Sequence, residues 1–105
     1  MSKQNRREQI QEMLKDEPND AFLLYGLAME YLSENDEKQA EKAFGDLIQC
    51  NPEYPPGYLQ LGQLQARLGK EEQARLTYQS GIAVARKVGD AHAAGEMENF
   101  LNLLD

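Results

Sequence analysis

The chain has 105 residues, 28% charged and 41% hydrophobic, with 18 acidic side chains against 11 basic ones. That length supports one small folded body, and the balance suits a globular chain better than a disordered one. A formal net charge of −7 repels phosphate groups, which weighs against nucleic acid and anionic membrane surfaces as partners.

Helix formers dominate, while valine occurs twice and threonine once, so the composition predicts an all-α fold. The opening stretch MSKQNRREQIQEML has no apolar core and no small-residue cleavage site, so it does not read as a secretory leader. It reads as a first helix over 4–16, with Ile10, Met13 and Leu14 apolar and Arg6 standing 34 residues before Ala40, where a small residue is expected. Asp20 stands where an N-cap belongs and opens a second helix over 20–33. Its apolar run AFLLYGLAM (21–29) is too short to span a bilayer. Asp36 caps a third helix over 37–50, in which Glu37 complements the positive helix end. Pro52, Pro55 and Pro56 then keep the chain from running on as one helix.

A fourth helix is expected over 55–68 and a fifth over 71–88. Gly69 lies one step past the fourth, where a left-handed residue commonly closes a helix. Gly69-Lys70 is not a phosphate loop, because six residues separate Gly62 from Gly69 and Glu71 follows the lysine. Asp90 caps a sixth helix over 91–104, whose apolar side carries Ala93, Met97, Phe100, Leu101 and Leu104.

Slid along so that Leu24 falls on Tyr58, the sequence matches itself. In that register Leu27 falls on Leu61, Ala28 on Gly62, Ala40 on Ala74, Phe44 on Tyr78 and Pro18 on Pro52; Leu47 over Gly81 is the pair that disagrees. Small residues at 28, 40, 62 and 74 let paired helices approach closely, so that Tyr58 and Tyr78 interlock across the gap. Glycine within a helix costs about 1 kcal/mol relative to alanine, and close packing at Gly62 is the expected compensation.

These units resemble the tetratricopeptide repeat. Leu24-x2-Leu27-Ala28-x2-Tyr31, Ala40-x3-Phe44 and Pro52 follow its pattern in the first unit, and Tyr58-x2-Leu61-Gly62 and Ala74-x3-Tyr78 in the second. Gln65 departs from the expected tyrosine, and Arg86 from the closing proline, so the fifth helix is expected to run through Val88. The resemblance implies antiparallel helical hairpins stacked as a short right-handed α-solenoid, in one domain over 1–105. Its parts would be an N-terminal helix resembling half a repeat (1–18), repeats at 21–54 and 55–88, and a C-terminal capping helix (89–105).

The second helix is more apolar than one buried face requires. At about 100° per residue, Leu27, Ala28 and Tyr31 fall near Leu24, whereas Phe22, Tyr25, Met29 and Leu32 form another stripe roughly 120° round. The resemblance implies a concave, apolar groove built from Phe22, Tyr25, Met29, Leu32, Leu59, Gln63 and Arg67. Tyr25, Met29, Leu59 and Gln63 stand where one subgroup of the family uses Lys and Asn to hold a C-terminal carboxylate, so an apolar or amphipathic ligand is expected instead. Three occupants are open: another protein or peptide, a second copy in a homodimer, or a terminal helix of the same chain.

No residue set points to catalysis. Cys50 and His92 are the sole cysteine and histidine, with no orienting group and no metal-ligand spacing. The acidic pairs Glu30/Glu34 and Glu37/Glu41 read as solvated surface. The sequence therefore predicts a non-enzymatic, cofactor-free, metal-free adaptor or scaffold in the cytoplasm, where a lone cysteine forms no intrachain disulfide.

Overall fold

The computed structural model describes residues 3–104. Met1, Ser2 and Asp105, which the sequence reading places in the terminal segments, lie outside the described residues. The elements are α1 (Lys3–Asp16), α2 (Ala21–Ser33), α3 (Glu37–Cys50), α4 (Pro55–Arg67), α5 (Glu71–Val88) and α6 (Ala91–Leu103). Every described element is helical, and α4 and α6 stop one residue short of the expected ends because Leu68 and Leu104 serve as C-caps. The helices fall into two compact units, one holding α1–α3 and the other α4–α6.

Three turns share one closing geometry. Asn35, Gly69 and Gly89 take positive φ values of 61°, 81° and 83°, the left-handed conformation that ends a helix. The next residue's amide then bonds back into the helix just ended: Asp36 to the Tyr31 carbonyl at 2.9 Å, Lys70 to Gln65 at 2.8 Å, and Asp90 to Ala85 at 2.7 Å. Asp36 and Asp90 also cap the following helices, accepting from the amides of Gln39 (3.2 Å) and Ala93 (3.0 Å). Asp20 does the same for α2 through Leu23 at 2.9 Å. One residue thus ends one helix and starts the next, which forces an antiparallel hairpin. A lysine side chain has no acceptor, so Lys70 makes no such capping bond. There Glu71 and Glu72 in the first turn meet the positive helix end.

In the first unit, Leu24 and Ala28 of α2 are buried along with Ala40, Ala43, Phe44 and Leu47 of α3. Helix α1 packs on a different face of α2. Ile10 reaches the Gly26 position, and the Arg7 guanidinium grips both Glu34 oxygens at 3.0 and 3.2 Å while lying 5.4 Å above the Tyr31 ring. Arg6 pairs with Glu30 at 3.3 Å. Glu30 and Glu34 are therefore not the solvated pair expected from sequence; only 15% and 20% of their side-chain surface is exposed. An arginine at the family's small position turns outward and leaves the packing to Ile10.

In the second unit the glycines are filled from opposite sides. A Cβ at Gly62 would lie 2.4 Å from Cε1 of Tyr78, and one at Gly81 would lie 2.5 Å from both Tyr58 Cβ and Met97 Sδ. Tyr78 is 1% exposed and stacks on Phe100 of α6 at 6.0 Å and 13°. Met97 is fully buried. Helix α6 thus covers the core face of α5 and also touches α4. The departure at Gln65 has a partner: its Oε1 accepts from the Thr77 hydroxyl at 2.6 Å. Gln65 and Thr77 stand one repeat after Tyr31 and Ala43, so a large–small pair in one hairpin becomes a hydrogen-bonded polar pair in the other. Helix α5 does run through Val88, and its last turn is tied by Arg86 to Glu98 and by Lys87 to Glu53.

Burial pushes the Tyr78 hydroxyl up to about 12, and raises Tyr58 in the same direction. The fold favours the neutral phenol, so this contribution is complete below the unfolded value near 10 and is lost as pH rises towards 12. A rise of that size corresponds to about 2–3 kcal/mol. Urea denaturation between pH 9 and 12 is expected to show that decline, and Tyr78→Phe to flatten it. An equally steep decline in the variant would assign it to other groups.

Candidate interaction surface

Helix α2 presents three faces at about 100° per residue. Leu24, Leu27 and Tyr31 face α3, with Tyr31 also lying under Arg7 of α1; Gly26, Glu30 and Glu34 face α1; Phe22, Tyr25, Met29 and Leu32 form the third. The third lies about 120° from the α1 contact, so α1 does not cover it. Phe22 stands 77% exposed in the first turn of α2. Tyr25, Met29 and Leu32 are half-buried. Tyr25 leans towards the core, edge-on to Phe44 with ring centres 6.2 Å apart at 66°.

The other three expected site residues are on α4, in the second unit. Leu59 and Gln63 are half-buried and Arg67 is exposed, spaced one turn apart along one face. Most of the rest of α4 is buried, including Gly57, Tyr58, Leu61, Gly62, Leu64 and Gln65. The two rows differ in chemistry. That on α2 is aromatic and aliphatic, whereas that on α4 ends in an amide and a guanidinium.

Sequence reasoning missed Met13 as a surface residue. It stands one repeat before the buried Leu47, which places it in a core, yet it is 48% exposed. Helix α1 packs chiefly on α2 within its unit, so only one side of it is covered. Cys50 is a free, exposed thiol at the end of α3, and His92 lies 3.3 Å from Glu96 on the surface of α6. Among the described residues, no group of three or more His, Cys, Asp or Glu side chains could hold a metal ion. No helix among them is long and apolar enough to cross a membrane.

Three comparisons bear on this architecture. The sequence pattern of the tetratricopeptide repeat matches residues 55–88, the α4–α5 hairpin. A tetratricopeptide repeat-containing protein of Pseudomonas aeruginosa is 32% identical over 98 residues, 93% of each chain. Among solved structures, a tetratricopeptide repeat domain protein from Salinibacter ruber is 34% identical and superimposes with a TM-score of 0.76, covering 80% of this chain and 85% of that one. PcrH, crystallised with the chaperone-binding region of PopD, superimposes with a TM-score of 0.85 over 95% of this chain and 76% of its own. At 17% identity that likeness is one of fold alone. Helical hairpins recurring at one fixed spacing, small residues beneath interlocking aromatics, and a relative matching along nearly the whole sequence lead to one conclusion: the chain belongs to the tetratricopeptide repeat family.

Proposed function

We propose that this protein is a non-enzymatic adaptor that binds an apolar or amphipathic segment of another protein along the α2 row of Phe22, Tyr25, Met29 and Leu32. Repeats of this family mediate protein–protein interaction. The carrying observation is Phe22, a large aromatic side chain 77% exposed beside three half-buried apolar ones, on the face that α1 leaves uncovered. An apolar row at helical spacing receives the apolar face of a ligand, and Met29 supplies an adaptable contact. The fold is compatible with this role, since PcrH holds a segment of PopD. Leu59, Gln63 and Arg67 on α4 belong to the second unit and form a separate row of mixed polarity. The cytoplasm is the compartment that suits an exposed lone thiol.

Light scattering after size exclusion, on wild type and on Met29→Glu, tests the reading. The expected result is a wild-type monomer at micromolar concentration and a Met29→Glu variant with unchanged helicity. Binding of an amphipathic helical peptide should weaken at least tenfold, as burial of an unpaired carboxylate requires. Phe22→Ala should weaken it too, without loss of stability, because that side chain is mostly in solvent. A wild-type dimer that Met29→Glu splits into folded monomers would instead make the row a self-association seam. Unfolding of Met29→Glu would place the row in the core.

A further inference from the structure

We propose that the notch at the α1–α2 turn docks an apolar side chain flanked by lysine or arginine in a segment of another protein. Met13 and Phe22, 48% and 77% exposed, form its floor with Leu23, and Asp16, Glu17 and Asp20 form its rim. The rim is held in place. Helix α1 ends at Asp16, the Glu17 amide donates to the Met13 carbonyl at 3.1 Å, and that of Asp20 to the Glu17 carbonyl at 3.3 Å. Asp20 Oδ1 is fixed by the Leu23 amide at 2.9 Å. The nearby ammonium of Lys15 is turned back to Glu12 at 3.1 Å, one turn away from the rim.

Charge decides the occupant. Residues 1–51 carry 11 acidic and 6 basic side chains, and three of those acids surround this one apolar floor. Two copies meeting notch to notch would set one acidic rim against the other. A foreign segment with an apolar residue between cations meets both the floor and the rim. The inference rests on the adaptor reading only through Phe22, which the notch shares with the α2 row.

Backbone amide shifts of the full chain during peptide titration test it, because they register millimolar binding residue by residue. The probes are two blocked tetrapeptides, Lys-Phe-Lys-Leu and Glu-Phe-Glu-Leu. The lysine peptide is expected to give saturable shifts between Met13 and Leu23, weakening as salt rises, and the glutamate peptide none. Asp16→Asn combined with Glu17→Gln, both at exposed positions, should weaken the lysine peptide roughly three- to tenfold and remove most of its salt dependence. Equal response to both peptides, no response at millimolar concentration, or unchanged affinity in the double variant would overturn the notch. Shifts confined to Met29 and Leu32 would keep the α2 row and also overturn the notch. Notch shifts that survive in Met29→Glu would uphold it even if the row fails.

Discussion

Gly62→Leu is expected to lower stability by about 3 kcal/mol, the upper end of what overpacking usually costs. Even a single Cβ there would come within 2.4 Å of Tyr78 Cε1 and 2.8 Å of two further ring atoms. The ring is 1% exposed, so it can yield only by displacing neighbours. Glycine also forfeits about 1 kcal/mol of helix propensity, and Gly62→Ala is expected to recover none of it. The equivalent of Gly62 in the first hairpin is Ala28, fully buried, so the same position in the other repeat holds a methyl. Urea denaturation gives the loss directly. Combining Gly62→Ala with Tyr78→Leu should cost less than the two changes summed, because both act on one contact. An unchanged midpoint in Gly62→Leu would mean that the helices separate freely there.

Tyr78→Ala is expected to cost about 3–5 kcal/mol, the range for emptying a large aromatic site. It removes the stack on Phe100 and the filler above Gly62 together. Against a total stability of about 5–15 kcal/mol for a small domain, that takes a large share. The contrast is Leu76→Ala two residues earlier on α5, where the side chain is 58% exposed. Removing a mostly solvated side chain should cost no more than about 0.5 kcal/mol. Denaturation curves for the two variants side by side decide the matter. Similar losses in both would deny that the α5 core is anchored on Tyr78.

Binding effects are smaller and rest on surface geometry. Tyr25, Met29 and Leu32 of the α2 row are half-buried before any partner arrives, so only the newly covered area contributes. Phe22 has the most area left to cover.

Much of this protein follows from local chemistry. Asp20, Asp36 and Asp90 each cap the helix they precede, because a short carboxylate before a helix satisfies an orphan amide whatever surrounds it. Gly69 closes α4 for an equally local reason. The internal self-match carried the family, and Gly62 beneath Tyr78 follows from it. Asn35, one repeat before Gly69, takes the same left-handed conformation.

Other features depend on partners distant in sequence. Nothing in an arginine pair near the start of α1 tells Arg7 to reach across to Glu34 at the far end of α2; the docking of α1 on α2 decides that. The polar pair Gln65–Thr77 looks in sequence like two unrelated departures from a pattern, and only the α4–α5 contact joins them. Exposure is the last of these. Periodicity puts Met13 in a core and Phe22, Tyr25, Met29 and Leu32 on one stripe, yet tertiary packing leaves Met13 and Phe22 in water while Tyr25 leans on Phe44. Helical spacing determines which residues share a face, and the helices that actually pack determine which faces remain open.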